Sequence, residues 1–238
     1  MLVQRLFSVT RSKAQGLIQT GCVLAADGTA LTKPGVRVPA DAALTLRERP
    51  KFVSRGGDKL EAAFRAFPID VAGLTAIDAG ASTGGFTDCL LQHGAARVYA
   101  VDVGYGQLAW ELRQDPRVVV MERCNIRHLT ADRLETTPSF FTVDCSFISL
   151  RLVLPALMPL LAPNPSGVAL VKPQFEAGRD QVGKGGVVRD ESVRARVVDD
   201  ARLLARALGF SEIDVIPSPL PGPAGNREFL AYLHGHTG

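Results

Sequence analysis

The sequence predicts an α/β protein in which a mostly parallel sheet is covered by helices on both faces. Three observations predict this fold. From about residue 52 onward, short apolar β runs alternate with amphipathic helical patterns. A glycine-rich turn follows the first of these runs. Close to the C terminus, two β runs are joined by a Pro- and Gly-rich connection without a helix, which indicates an antiparallel edge hairpin.

The first 46 residues indicate a separate, small α+β domain. A helix is predicted between Thr10, which can cap its start, and Gly21, which can end it in the left-handed conformation. The apolar segments on either side of the Asp27-Gly28 turn predict a β-hairpin, and residues 44–46 predict a further strand.

Residues 47–52 are predicted to be a linker, because this run is polar, contains Pro50 and lacks apolar periodicity. The second domain then covers residues 53–238. Its predicted strands are residues 75–78, 97–102, 118–122, 140–144 and 167–172, its predicted helices are residues 84–92, 152–161 and 192–208, and its hairpin strands are residues 213–216 and 229–233.

Composition and charge exclude several classes of protein. The chain has 238 residues, and its four cysteines form no C-x-x-C pair, which argues against a disulfide scaffold or a zinc knuckle. The four histidines lack metal-binding spacing, so no metal is predicted. The most apolar stretch, residues 150–162, is too short to span a membrane and is broken by two prolines. Because basic residues also interrupt any early apolar run, the sequence predicts a cytoplasmic protein.

The strongest motif is the glycine-rich turn at residues 78–86, with the sequence D-A-G-A-S-T-G-G-F. Its glycine spacing differs from the G-x-G-x-x-G pattern of nicotinamide dinucleotide enzymes. Asp78 ends the first predicted strand and could accept hydrogen bonds from a ligand ammonium group. Asp102 ends the next strand, where an acid can bind a ribose. A ligand with an amino-acid group at the turn and a nucleoside beyond it would fit these two positions, which predicts bound S-adenosylmethionine. The alternative is a turn that only packs a helix on a strand.

The predicted cofactor-binding residues lie on the turn and on the two strand ends that follow it. They are Asp78, Gly80, Ser82, Thr83, Gly84, Gly85, Phe86, Asp102, Val103 and Asn125. The D-x-G-x-x-x-G spacing at residues 78–84 resembles the first motif of S-adenosylmethionine-dependent methyltransferases, and this resemblance implies a Rossmann-like methyltransferase sheet.

Four further polar residues are predicted to meet at the carboxyl edge of the sheet: Lys59, Asp144, Lys172 and Glu228. A ribose hydroxyl must lose its proton to attack a methyl carbon, and a lysine can take that proton only in its neutral form, which burial and a second cation favour. Lys172 is therefore the predicted base and Lys59 the neighbouring cation, while the two carboxylates orient the ammonium groups. The alternative is ordinary surface ion pairing.

Several runs carry a resemblance to a known family. They are residues 53–57 (VSRGG), 78–86, 101–108 (VDVGYGQL), 144–150 (DCSFISL), 172–176 (KPQFE) and 182–188 (VGKGGVV). In these runs the sequence resembles the TlyA (hemolysin A) family, whose catalytic domain is similar to the FtsJ group of methyltransferases. The resemblance implies S-adenosylmethionine-dependent 2′-O-methylation of ribosomal RNA by a Lys-Asp-Lys-Glu tetrad at the four positions just named. It also implies ribosomes or ribosomal subunits as partners.

The front region resembles the small RNA-binding domain named after the fourth small-subunit ribosomal protein. The matching positions are Thr10-Arg11, Ala14, Leu17-Ile18, Gly21, Val23, Asp27-Gly28 and Lys33-Pro34. The family usually has an Arg-Leu-Asp element before the Leu-Val that stands here at residues 2–3. The resemblance therefore predicts a first helix without its beginning, either because the start site was chosen late or because the domain is truncated at its start.

The net charge of +3 is unevenly distributed, which fits an RNA-binding front domain. Residues 1–52 carry 8 basic and 3 acidic side chains, whereas the rest of the chain carries 19 and 21. Arg11, Lys13 and Lys33 are predicted to contact phosphates, although a solvated basic face would explain any one of them. Three cations in glycine-rich loops near the cleft are predicted to guide the RNA: Arg55, Arg179 and Lys184.

Two other functions compete with RNA methylation. The family's older name suggests a membrane-active haemolysin, but the sequence has neither an apolar span nor a basic amphipathic helix with a large aromatic face. An RNA-binding protein with a vestigial cofactor pocket is the second alternative, and the complete tetrad argues against it.

Overall fold

The computed structural model describes residues 2–19, 21–47, 50–222 and 224–236. The chain divides into two compact units, residues 1–50 and residues 51–238. Each unit has its own hydrophobic core.

The first unit contains two helices and a small antiparallel sheet. Its elements are α1 (Leu2–Leu6), α2 (Arg11–Gln19), β1 (Val23–Leu24), β2 (Ala30–Leu31) and β3 (Thr45–Leu46), and the strand order is β2-β1-β3. Its core contains Val3, Leu17, Val23 and Leu44. The helix, hairpin and third strand expected from the sequence are thus present, and α1 is a short helix that the sequence indicates only by its Leu-Val pair.

The second unit is a seven-stranded sheet with helices between most of its strands. Its elements are α3 (Arg55–Ala66), β4 (Thr75–Ala79), α4 (Gly85–Gln92), β5 (Arg97–Val101), α5 (Trp110–Arg113), β6 (Val118–Met121), β7 (Phe140–Val143), α6 (Leu150–Leu157), β8 (Ser166–Val171), α7 (Pro173–Glu176), α8 (Glu191–Ala207), β9 (Phe210–Pro217) and β10 (Phe229–His236). Single 3₁₀ turns occur at Ile126–His128, Ala131–Arg133, Met158–Leu160 and Arg179–Gln181.

The strand order in this sheet is β6-β5-β4-β7-β8-β10-β9. The first five strands in that order are parallel, whereas β10 is antiparallel to both β8 and β9. The predicted C-terminal hairpin is therefore confirmed, with β10 inside the sheet and β9 at its edge. The order of the parallel strands reverses between β4 and β7, and a ligand crevice is expected at the carboxyl ends of those two strands.

Two hydrophobic cores cover the two faces of the sheet. The adjacent residues Phe140 and Phe141 are both completely buried, but they belong to different cores because successive side chains of a strand point to opposite faces. Leu154 of α6 and Val197 of α8 lie in one core. Leu60 of α3 lies in the other, together with residues of α4. Helices on both faces are thus confirmed.

The element boundaries differ from the predictions mainly around α6. This helix begins at Leu150 because Ser149 caps it, and its regular part ends at Leu157, after which Met158–Leu160 forms a 3₁₀ turn that contains Pro159. The short helices α5 and α7 are not predicted, because four residues are too few to show helical periodicity. Residues 48 and 49 of the predicted linker lie outside the described residues.

Candidate active site

Two adjoining cavities open where the strand order reverses. The first has a volume of 380 Å³ and the second a volume of 330 Å³. Their linings share Gly80 and Ser82 after β4 and Asp144 and Ser146 after β7. The crevice expected from the topology is therefore present as a double cavity.

The glycine-rich turn has little space for side chains. Gly80 adopts a φ of 87°, and a Cβ atom on it would lie 2.8 Å from the carbonyl oxygen of Asp144. A Cβ atom on Gly85 would lie 2.7 Å from the amide nitrogen of Gly57. The turn thus packs directly against the end of β7, and the start of α4 packs directly against the start of α3.

Asp102 lies in the lining of the first cavity and organises the turn above it. Its Oδ2 accepts a hydrogen bond from the Ser82 amide at 2.8 Å, and its Oδ1 accepts one from the Gly104 amide at 2.7 Å. A carboxylate has about four acceptor positions, so Asp102 can still accept hydrogen bonds from a ligand hydroxyl. Gln107 also lines this cavity, and its Oε1 accepts a 3.3 Å hydrogen bond from the Ser82 hydroxyl.

Asp78 is placed differently from the other predicted cofactor residues. It is completely buried below the turn and lines neither of the two cavities. Its oxygens accept hydrogen bonds from the hydroxyls of Thr87 (2.7 Å) and Thr142 (2.8 Å). Burial raises the pKa of Asp78 to about 6, although both hydroxyls oppose the shift. The structure thus shows Asp78 joining β4, α4 and β7. Gly84 likewise does not reach the two linings.

The remaining predicted cofactor residues divide between the cavities. Val103 and Asn125 join Gly80, Ser82 and Asp102 around the first cavity, whereas Thr83, Gly85 and Phe86 line the second. The first cavity thus combines the carboxylate of Asp102 with largely apolar walls, and it adjoins the second cavity along the glycine turn. These residues fit S-adenosylmethionine, with its nucleoside in the first cavity and its amino acid and sulfonium near the turn.

All four predicted tetrad residues line the second cavity. Lys172 Nζ lies 2.6 Å from Asp144 Oδ1 and donates a 3.0 Å hydrogen bond to the Ser146 hydroxyl. Lys59 Nζ lies 2.5 Å from Glu228 Oε2, and these two side chains are only 8% and 1% exposed. Burial raises the pKa of Asp144, although the two lysines oppose this shift. The structure therefore brings together one buried and one partly buried ion pair from four separate segments of the chain.

The predicted RNA-binding cations are distributed over several places. Arg55, the first residue of α3, lines the second cavity. Arg179 and Lys184 are exposed but line neither cavity. In the first unit, Arg11 and Lys33 line one cavity of 490 Å³. The side chain of Lys13 lies outside the described part of the chain.

Some residues of the site were not among the predicted ones. Ser146 and Gln107 lie inside sequence runs that carry the family resemblance, so the motifs contained a signal for both. Gln174 donates a 3.5 Å hydrogen bond to Glu228 Oε1, and Ser54 lines the second cavity ahead of Arg55. These two residues also lie inside such runs, at residues 172–176 and 53–57, so the motifs contained a signal for them as well.

One cluster outside the cavities contains metal-binding residue types, namely Glu61, Cys89 and His93. Glu61 Oε1 lies 2.8 Å from Lys51 Nζ, and Oε2 lies 2.9 Å from His93 Nε2. Although burial opposes the shift, the hydrogen bonds from Lys51 and His93 lower the pKa of Glu61 to about 2. The cluster is therefore an ion-pair network in which the carboxylate already has its partners.

Across residues 2–19, 21–47, 50–222 and 224–236, no helix is both long enough and apolar enough to cross a bilayer.

The fold and the site define a class of protein. A Rossmann-like sheet with a glycine turn, an acid after the second parallel strand and a double cavity at the switch point characterises S-adenosylmethionine-dependent methyltransferases. Residues 52–234 match the family model of FtsJ-like methyltransferases. The chain therefore belongs to the FtsJ-like methyltransferase family, and within it to the TlyA family, and its cofactor is S-adenosylmethionine.

Three relatives illustrate this membership. The chain is 50% identical to the 16S/23S rRNA (cytidine-2′-O)-methyltransferase TlyA of Mycobacterium tuberculosis, over 99% of this chain and 88% of that protein. It is 41% identical to Hemolysin A of Brachyspira hyodysenteriae, over 95% of both chains. The solved structure of a candidate hemolysin from Streptococcus thermophilus matches with a TM-score of 0.77 and 47% identity, over 94% of this chain and 82% of that one.

Proposed function

We propose that the protein methylates the 2′-hydroxyl of a ribose in ribosomal RNA, and that Lys59, Asp144, Lys172 and Glu228 carry out the reaction. The observation that supports this proposal most directly is the pair of lysine–carboxylate contacts in the second cavity, next to the cofactor-binding turn. The relative named as a cytidine-2′-O-methyltransferase of 16S and 23S rRNA supports the substrate class.

Lys172 is the proposed base. In its neutral form, its amine keeps two N–H groups for Asp144 and Ser146 and directs its lone pair at the ribose hydroxyl. When bound, S-adenosylmethionine supplies an electrophilic methyl group. The hydroxyl proton passes to Lys172 Nζ while the ribose oxygen forms its bond to the methyl carbon, and the carbon–sulfur electron pair remains on sulfur.

The other three residues hold the base and the substrate in place. Asp144 orients Lys172 through the 2.6 Å contact, and Glu228 holds Lys59 through the 2.5 Å contact. Lys59 is the neighbouring cation in the same cavity and positions the ribose. Because the cluster contains two cations and two carboxylates, neither carboxylate is left buried without a partner.

The first unit is proposed to bind RNA, as a small RNA-binding domain over residues 1–46 that precedes a linker and the methyltransferase domain. Arg11 and Lys33 around its cavity would contact phosphates together with Lys13. Arg55 at the second cavity, and the exposed Arg179 and Lys184, would guide the RNA strand. Ribosomes or ribosomal subunits are the proposed partners, and a ribosomal substrate would place the enzyme in the cytoplasm.

The test is transfer of a labelled methyl group from S-adenosylmethionine to ribosomes, ribosomal subunits and bare ribosomal RNA, followed by mapping of the modified nucleotide. Lys172→Ala is expected to reduce transfer by at least about 100-fold, the lower range for loss of a general base, while cofactor affinity changes little. The matched control is Lys51→Ala, which removes a lysine from an ion pair outside the tetrad. Full activity of Lys172→Ala would exclude Lys172 as the base.

The same purified protein distinguishes the competing functions. Leakage of liposomes without S-adenosylmethionine would support a membrane-active haemolysin. Binding of ribosomal RNA without any methyl transfer would support an RNA-binding protein with a vestigial pocket.

A further inference from the structure

The segments that follow β7 and β8 are joined by the carboxylate of Glu176, the last residue of α7. Its Oε2 accepts a 2.6 Å hydrogen bond from the Ser149 hydroxyl, and its Oε1 accepts a 2.8 Å hydrogen bond from the Leu150 amide. Leu150 is the first residue of α6 and Ser149 is its N-cap. A carboxylate is favourable at this position because the first amides of a helix have no acceptor within the helix.

These are the two segments that carry half of the proposed tetrad. Asp144 directly follows β7, and Lys172 directly follows β8 and precedes the first turn of α7. Besides the Lys172–Asp144 pair, the rings of Phe147 and Phe175 connect the segments, with a centroid distance of 5.2 Å. The hydrogen bonds of Glu176 provide a further connection, which joins the end of the segment after β8 to the end of the segment after β7.

Glu176 itself does not line either cavity. Its two strong hydrogen bonds both go to the start of α6, and burial raises the pKa of its carboxyl group. Any influence of this side chain on the reaction must therefore act through the position of the two segments.

We propose that Glu176 is a positioning residue: with Ser149 and the Leu150 amide it forms a clamp that fixes the Asp144 segment against the Lys172 segment. This inference rests on the proposed function, because it assumes that the Lys172–Asp144 pair acts on the substrate. The clamp sets the separation of a base and its orienting acid that come from different strands. A displacement of about 1 Å between such groups can reduce a rate by up to about 100-fold.

Two substitutions separate the clamp from a role of the negative charge. Glu176→Gln keeps the shape of the side chain, because its amide oxygen can accept from the Leu150 amide and its NH₂ group can donate to the Ser149 hydroxyl. Glu176→Ala removes both contacts. The matched control is Asp190→Ala, which removes the cap of α8, where Asp190 accepts a 2.8 Å hydrogen bond from the Ser192 amide; neither α8 nor its cap contains a tetrad residue.

Steady-state kinetics with ribosomal RNA give the first readout. We expect kcat of Glu176→Ala to fall by at least about tenfold, while Glu176→Gln stays within about threefold of the parent enzyme. The Kd for S-adenosylmethionine, measured by calorimetry, should change less than about threefold, because Glu176 does not line the cavity that Asp102 and Asn125 line. A similar loss of kcat in Glu176→Gln and Glu176→Ala would overturn the clamp and indicate an effect of the negative charge. A loss of kcat in Asp190→Ala equal to that in Glu176→Ala would also overturn the clamp and indicate general destabilisation.

Hydrogen exchange gives a second readout that needs no RNA. The amides of residues 144–152 should exchange faster in Glu176→Ala than in the parent protein, and should be unchanged in Glu176→Gln and Asp190→Ala. Unchanged exchange in Glu176→Ala would refute the clamp even if kcat falls. If the parent protein transfers no methyl group to any ribosomal RNA, the proposed function fails, while the exchange data still decide whether the clamp exists.

Discussion

Individual residues of the site show how far a sequence can predict chemistry. Asp144 and Lys172 were predicted from their place at strand ends, Lys59 from the start of a helix and Glu228 from the start of the final strand. The structure brings all four to one cavity. Asp78 has a similar place, near the carboxyl end of the parallel strand β4, yet its side chain is buried and accepts hydrogen bonds from two threonine hydroxyls. The motif fixes where the backbone of such a residue lies, but the side-chain direction depends on the packing of α4 and β7, which no local pattern encodes.

The buried Asp78 gives a prediction about pH and stability. Its pKa of about 6 in the folded protein lies above the value of about 3.9 of an unfolded chain, so the folded state binds more protons between these two values. Stability contributed by Asp78 is therefore lost as the pH rises from about 4 to about 6, by roughly 3 kcal/mol in total. In urea unfolding, the free energy of the parent protein minus that of Asp78→Asn should therefore fall by roughly 3 kcal/mol as the pH rises through this window. Parallel pH curves for the two proteins would contradict the assignment.

The Lys59–Glu228 pair gives a prediction about stability alone. Because both side chains are almost fully buried, removing one charge leaves the other without a partner. Lys59→Met should lower the free energy of unfolding by about 3 kcal/mol, and the double variant Lys59→Met/Glu228→Gln should recover a large part of that loss. Chemical denaturation of the three proteins measures the difference. A double variant less stable than the single one would show that the ion pair itself is strongly favourable.

At the scale of elements, the regular strands were the most predictable part of the fold. The five parallel strands lie within about one residue of their predicted bounds, because buried parallel strands are nearly continuous apolar runs. The pairing of β10 between β8 and β9 was not predicted, since it is a long-range contact that the apolar pattern of either strand alone does not specify. For the same reason the cavities themselves, which arise from several loops at once, could not be derived from the motifs.

The glycine turn after β4 gives a prediction at this scale. Gly80→Ala would place a Cβ atom 2.8 Å from the Asp144 carbonyl oxygen, so the turn must move away from β7. We expect the affinity for S-adenosylmethionine to fall at least about tenfold, which corresponds to 1.4 kcal/mol. Gly73→Ala is the matched control, since Gly73 also has a positive φ of 74° but no atom within 4 Å of the added Cβ. Equal losses of affinity in both variants would point to backbone strain instead of the contact with Asp144.

At the scale of the whole molecule, the two units differ in charge as well as in fold. The basic excess belongs to the first 52 residues, and the remainder is slightly acidic. A protein that neutralises RNA phosphates with basic side chains releases counterions, so its affinity falls as the salt concentration rises. If the first unit binds RNA, removing its basic side chains should therefore reduce the salt dependence of RNA binding.

Replacing Arg11 and Lys33 by glutamine should weaken binding to ribosomal RNA and reduce the slope of log K against log salt concentration by about 1 to 2. The slope is obtained from filter-binding or fluorescence titrations at several salt concentrations. Arg202→Gln/Arg206→Gln, which removes two cations from α8, is the charge-matched control. An equal change of slope in both double variants would mean that net charge, and not the first unit, determines RNA binding.

The position of β10 has a consequence for the folding of the enzyme during its synthesis. This strand comes last in the chain but lies between β8 and β9, and Glu228 stands directly before it. Until the last residues leave the ribosome, β8 has an unpaired edge and Lys59 lacks its carboxylate. Nascent chains should therefore expose an unpaired strand edge and remain inactive until β10 has been synthesised. A variant that stops before Glu228 should lose activity and aggregate, because it lacks both the carboxylate that pairs with Lys59 and the strand that pairs with β8.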